Sequence, residues 1–329
     1  MRKTFIYIIC LIVLVFLIPV IFTTKRIVKT SNKTEEKEIE VINYDYSKYK
    51  TIKLLHVDEN KVEEVNLDEY IVHVVSAEMP VTYDLEALKA QAIVARTYTI
   101  YKITTSRKHE KADICDKSSC CQAWISKENR FKRWDEYKRK ENWNKIVKAV
   151  NETAGKIVIY DGKPINAFFH ANSGGKTQEP FYVWGGTGYP YLQVVETSGE
   201  ENYSQYKSEA KFTKKEFIEK IKKEHKDFEI DFSKKNCIQI KERDKSDRVM
   251  TVKLGNLNLS GVEIRTLLGL RSANFTIEIS KDEILFKVIG YGHGVGMSQT
   301  GADALAKQGK NYEQIIKHFY TGVEITQMN

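Results

Sequence analysis

The chain opens on an unbroken apolar run: after Met1, Arg2 and Lys3 no charge occurs until Lys25, and Thr4 to Phe22 are almost wholly Ile, Leu, Val and Phe. A bilayer needs about 20 such residues, so the pattern predicts one transmembrane signal-anchor over residues 1–24. The rival is a cleaved signal peptide, whose apolar stretch is ~7–15 residues and ends in small residues. Here the run is longer and no Ala-x-Ala-like site follows it. Lys25, Arg26 and Lys29 make the second flank as basic as the first, so the positive-inside rule gives no orientation. Residues 25–48 mix Lys, Glu, Ser and Asn with few apolar positions, the texture of a solvated tether, and the folded part is expected from Tyr49.

Helical periodicity follows. Asp68 precedes an apolar stretch and is expected to cap a helix from Glu69 to about Glu78, ended by Pro80. Ile71, Val74, Val75 and Glu78 recur at spacings of three and four, which puts Glu78 on the apolar face in the last turn. Burial and the negative end of the helix dipole both disfavour a charged carboxylate there, the conditions for a general acid. The plain alternative is a glutamate that frays outward at a helix end. A second helix, capped by Asp84, runs from Leu85 to about Tyr101 and is rich in Ala. Lys89 and Arg96 lie seven residues apart on one side of it, about 10 Å along the axis, where they suit carboxylates or other oxygen-rich groups; surface cations are the alternative.

Three cysteines, Cys115, Cys120 and Cys121, follow His109 closely, while Cys10 and Cys237 stand apart. His109-x5-Cys115-x5-Cys121 is a donor set suited to tetrahedral zinc. A disulfide from Cys115 to Cys120 or Cys121 competes with it in an oxidising compartment. His109-Glu110 does not begin a metalloprotease motif, because residue 113 is Asp.

Two glycine-rich segments fail the nucleotide patterns. His170 stands where the phosphate loop needs Gly in the segment running to Lys176-Thr177, and Gly290 to Gly296 fits GxGxxG in no register. They read as loops where the backbone turns sharply, each with a histidine and polar followers, and they are shaped for the wall of a site; two structural histidines are the bland alternative. Between them Tyr182, Trp184, Tyr189 and Tyr191 crowd around glycines, a place for sugar stacking or for core. From Glu200 the texture changes to a Lys-rich helical stretch at 214–226 and β-like runs around 249–254 and 275–279, read as an inserted second lobe over 200–286. The expected fold class is therefore α+β and two-lobed, with a helical catalytic lobe over 49–199 plus 287–329 and a β-rich insert.

Composition adds a little. Apolar residues at 42% and charged residues at 29% exclude wholesale disorder. The net charge of +8 is carried by 41 Lys against 11 Arg. Without a dense Arg stripe this charge favours anionic polymers or membrane surfaces and not nucleic-acid recognition.

Taken together, Ala77-Glu78-Met79-Pro80, the run from Ala87 to Tyr98, Cys121-Gln122-Ala123-Trp124, Phe169 to Lys176, Val183-Trp184-Gly185, Pro190-Tyr191-Leu192, Leu268 to Ser272 and Gly290 to Gln299 resemble the stage II sporulation protein D family of lytic transglycosylases, related to amidase enhancers. The resemblance covers nearly everything from about residue 50. It implies a catalytic region outside the cytoplasm on a single-pass anchor in the mother-cell membrane, facing the engulfment septum. It implies cleavage of the β-1,4 bond between N-acetylmuramic acid and N-acetylglucosamine to 1,6-anhydro ends, with Glu78 catalytic and Lys89, Arg96, His170, Ser173, Tyr182 and Gln299 binding glycan. It further implies zinc on His109, Cys115 and Cys121, with the adjacent Cys120 a departure, and Thr300 where an aromatic is common. The implied partners are peptidoglycan glycan strands and the stage II sporulation proteins P and M. A non-catalytic glycan-binding amidase activator on the same fold is the alternative.

Overall fold

The computed structural model describes residues 37–105 and 108–328. The expected signal-anchor at 1–24 lies outside the described residues, as does most of the tether. Among the described residues no helix is long and apolar enough to cross a membrane. The chain divides into units 1–38 and 39–329, and the second carries the fold.

That fold is mixed α+β, with nine α-helices and five small sheets among the described residues. It is built around the helix Leu85–Thr105. Asp84 caps it, its Oδ1 accepting from the Glu86 amide at 2.9 Å. Ala87, Ala90, Ala92 and Ala95 alternate with Leu88, Ile93 and Val94, all of them buried. Small and apolar side chains cover most of its circumference, so this helix lies inside, and the small ones let neighbours approach closely. The helices Leu67–Glu78, Arg139–Asn151, Gln299–Lys307 and Tyr312–Phe319 and the strand Lys156–Tyr160 pack round it.

Two expectations are corrected at this centre. The cap of the helix Leu67–Glu78 is Asn66, whose side chain accepts from the Asp68 amide. Asp68 instead turns inward and is fully buried with Arg96. Its Oδ1 accepts from Arg96 Nη2 at 3.0 Å and from the Tyr46 hydroxyl at 2.6 Å, and Oδ2 accepts from the Tyr44 amide at 3.0 Å. Arg96 Nη1 donates to the carbonyls of Thr153 and Lys156 at 2.9 and 3.2 Å, just past the helix Arg139–Asn151. Lys89 does point the same way, but it is held by Glu86 and Glu152 at 2.7 and 2.6 Å. Both cations thus satisfy the end of a neighbouring helix, where carbonyls and negative charge collect.

The folded part also begins before Tyr49. The Ile39 and Ile42 amides donate to Asn144 and Asn151 side chains at 2.8 Å each, and Tyr46 is fully buried. The last residues of the expected tether are therefore a strap along the helix Arg139–Asn151. The strand Thr51–His56 pairs antiparallel with Lys61–Asn66 and parallel with Ile114–Cys115, which ties Cys115 to the sheet opposite Leu55.

A second hydrophobic cluster lies within residues 210–288, around Phe217, Phe228, Phe275 and Phe286. It comprises the helices Lys214–Lys222 and Gly261–Leu268 and two three-stranded sheets, and Val249–Leu254 is a strand as expected. The strand Glu283–Ile289, paired with Lys207–Thr213, runs across the expected boundary at 286.

Arg96→Ala leaves the buried Asp68 carboxylate without its cation, and such a loss costs about 3–5 kcal/mol. Urea unfolding is expected to show that loss, and replacing Asp68 with Leu and Arg96 with Met together is expected to recover part of it. An unchanged midpoint with weakened glycan binding would return Arg96 to the role expected from sequence.

Candidate active site

A groove of about 1270 Å³ runs between the helical region and the second cluster. Glu78 is the single carboxylate among its described lining residues, against the cations Lys102, Lys108, Arg130 and Arg265. Glu78 is the last residue of its helix because Pro80 follows: the residue before a proline is driven out of the helical region, and Met79 is extended at φ −118°, ψ 141°. The side chain does not fray outward. Oε1 accepts from the Ala123 amide at 2.6 Å, and Oε2 lies 3.4 Å from Gln299 Nε2. Burial raises its pKa above the ordinary carboxyl value, and these two hydrogen bonds only partly offset that effect.

The segment that presents Ala123 is anchored by Gln122, fully buried, which donates to the Tyr70 hydroxyl and Thr99 Oγ1 at 3.1 and 3.0 Å. Upstream lie the metal candidates. Donor atoms of His109, Cys115, Cys120 and Cys121 all fall within 4.8 Å of one another, and no disulfide joins these cysteines in the structure. The set expected from sequence, His109, Cys115 and Cys121, is brought together, and Cys120 joins it. Three thiols and an imidazole are the donor chemistry of a tetrahedral zinc site.

Gln299 arrives from the other glycine-rich loop. The short strands Phe169–His170 and Met297–Ser298 pair in parallel, with Ser298 opposite His170, so the two loops lie side by side. Gly296, at φ +72°, is required there: any Cβ would run into the Phe168 carbonyl. His170 is buried at the groove, and its Nδ1 donates to the Val295 carbonyl at 3.1 Å. Nε2 is then the bare nitrogen, with no partner among the described residues. Burial beside Arg248 lowers its pKa to about 3, so the ring is neutral. His293 also borders the groove, and burial next to His170 holds its pKa well below the ordinary value.

Ser173 and Tyr182 are placed elsewhere. Ser173 is buried in a network around Glu200, which sequence reasoning missed. The Glu200 carboxylate accepts from the Ser173 and Gly175 amides at 3.1 Å each and from the hydroxyls of Ser173, Thr197, Ser298 and Thr300. Thr300, noted for not being aromatic, is thus one of its donors. The signal available in the sequence was this supply of Ser and Thr hydroxyls in loops with no acceptor assigned to them. Tyr182 borders a small recess beside Asp244 and Arg248 instead of the main groove. Of the crowded aromatics, Trp184 is half-exposed at the groove and packs against Phe168 in a tilted pair with ring centroids 4.6 Å apart, while Tyr191 is core. Neither Lys89 nor Arg96 borders the groove.

Comparison with known proteins places this arrangement in a lineage. A family model described as "Stage II sporulation protein" matches residues 56–160, and one described as a domain of unknown function matches 190–296. The chain is 34% identical to stage II sporulation protein D of Bacillus amyloliquefaciens over 281 residues, 84% of this chain and 79% of the relative. It is 36% identical to stage II sporulation protein D of Bacillus subtilis (strain 168) over 269 residues, 81% and 76% of the two chains. The amidase enhancer of Bacillus subtilis (strain 168) is 27% identical over 301 residues, 77% of this chain and 40% of that protein. With that identity sustained across most of both chains, the protein belongs to the stage II sporulation protein D family.

Proposed function

We propose that the chain is a membrane-anchored peptidoglycan lytic transglycosylase acting in sporulation. The observation that carries this reading is Glu78: the single carboxylate among the described groove residues, with its pKa raised by burial and no cation on it. Hydrolysis by a carboxylate pair requires a second acid within roughly 5–9.5 Å. Asp84 and Glu86 do not border the groove. One carboxylate suffices when the nucleophile is internal. Protonated Glu78 gives its proton to the glycosidic oxygen as the bond from C1 of N-acetylmuramic acid breaks. The C6 hydroxyl oxygen then bonds to C1, and its proton passes to the Glu78 carboxylate. The acid is restored, no water is consumed, and a 1,6-anhydro ring results.

Trp184 offers an exposed aromatic face to a sugar ring, and Lys102, Lys108, Arg130 and Arg265 suit a polymer bearing carboxylates on its peptides. Zinc on His109, Cys115 and Cys121 would supply a structural clamp beside the groove. The proposed location is the mother-cell membrane, with residues 1–24 as anchor and the groove outside the cytoplasm. The proposed partners are the stage II sporulation proteins P and M. The likeness to the amidase enhancer supports a second reading, a non-catalytic glycan binder that activates an amidase.

Full-length chain given peptide-free glycan strands is expected to release anhydromuramyl ends, seen by mass spectrometry. Glu78→Gln is expected to lower that rate by at least 100-fold while glycan binding persists. New reducing ends would mean hydrolysis, and binding without products would leave the activator reading.

The raised Glu78 pKa also sets a pH dependence. The acid must start protonated, so the rate is expected to fall as pH rises through a value above the ordinary carboxyl pKa of ~4.3. The native state favours the neutral form, so its contribution to stability is complete below the unfolded pKa and lost as pH rises through the folded one. Glu78→Gln is therefore expected to melt higher than the parent at neutral pH. The gap should close below about pH 4.

A further inference from the structure

The resemblance implies three metal ligands, a set that leaves the fourth position of a tetrahedral zinc open to water. This chain presents four donors. Zinc bonds of about 2.3 Å to sulfur and about 2.0–2.1 Å to nitrogen, at tetrahedral angles, put two sulfurs about 3.8 Å apart and a sulfur about 3.6 Å from the nitrogen. Here Cys120 Sγ and Cys121 Sγ are 3.8 Å apart. His109 Nε2 lies 3.5 Å from Cys120 Sγ and 3.7 Å from Cys121 Sγ. Those three separations match one face of such a tetrahedron, with Cys120 on it as well as Cys121, and the Cys115 donor lies within 4.8 Å of all three.

The backbone explains how two adjacent cysteines face one centre. Cys115 is fixed in the sheet by its pairing with Leu55. The amides of both Cys120 and Cys121 donate to the Lys117 carbonyl, at 3.0 and 2.7 Å, which winds the chain into a tight turn back toward Cys115. Two residues beyond Cys121 is Ala123, whose amide holds Glu78.

We propose that Cys120 is a fourth ligand that closes a Cys3His zinc site, so that the metal has no position for water and clamps the turn leading to the amide that positions Glu78. Binding turns three thiols into thiolates, releases three protons to solvent and moves no electrons. The clamp on Glu78 rests on the function proposed above; the closed site does not.

The test uses the full-length chain loaded with zinc alone. X-ray absorption is expected to show one zinc per chain with three sulfurs and one nitrogen. In Cys120→Ser one sulfur is expected to be replaced by a lighter atom, and competition with a chelator should show zinc held roughly 100-fold more weakly. Cobalt substituted for zinc should lose about one third of its thiolate charge-transfer absorption in the variant, as three thiolates become two. A parent shell of two sulfurs with water overturns the proposal without the variant having to fold. So does a variant with unchanged shell and affinity, or a zinc-free parent whose mass is two protons short. None of these readings uses glycan, so a failed transglycosylase assay leaves the closed site standing, and an open shell leaves the Glu78 chemistry standing.

Discussion

The groove depends on one buried carboxylate that does not border it. Glu200 lies between the two glycine-rich loops and accepts six hydrogen bonds, four from hydroxyls and two from amides. A charge removed from water is tolerable only when such donors replace its hydration. The loops are polar and turn sharply; beyond two residues each in mutual strand pairing, single bridges from Asn172 to Tyr291 and from Gln178 to Val295 set their register, and Glu200 ties the turn at Ser173 to Ser298 and Thr300. Arg248 reinforces the junction from the second cluster, donating to the carbonyls of Ser173 and Lys176 at 2.9 and 3.1 Å. His170 and Gln299 reach the groove because the loops behind them are pinned there.

Glu78 is the same residue type in the opposite situation. It has two donors where Glu200 has six, one of them a weak contact from a neutral amide. It also sits at the carbonyl end of a helix, where the dipole opposes negative charge. Donor number and burial set the two carboxylates to different tasks: six donors make Glu200 a junction between loops, while burial with few donors raises the Glu78 pKa. The same separation of roles by environment lets paired carboxylates act as acid and base in glycosidases.

Much of this was legible from spacing. The three- and four-residue recurrence that placed Glu78 on the apolar face of its helix held, because a helix face is a local property and Pro80 ends the helix wherever it folds. The His and Cys cluster was legible because its members lie close along the chain. Arg96 shows where that reasoning ends. Periodicity identified its side of the helix Leu85–Thr105, but what covers that side is the end of Arg139–Asn151, more than fifty residues away, together with Asp68. Asp68 itself looked like a cap because capping is the common use of an aspartate before an apolar run. The buried arginine outbid that local role, and Asn66 took it over. Glu200 carries no periodicity at all, and its partners are spread from Ser173 to Thr300.

The candidate acid is therefore defined by parts that are distant in sequence. Its helix end comes from residues 67–78, its strong hydrogen bond from Ala123, and its weak one from Gln299. Each support is held by a different device: packing on the central helix, the turn at the cysteine cluster with Gln122 buried beneath it, and the Glu200 junction. Displacing one of these supports would expose the carboxylate to water. Water would solvate the carboxylate and return its pKa toward the ordinary value. The proposed acid, the single carboxylate among the described groove residues, is thus held from three directions at once.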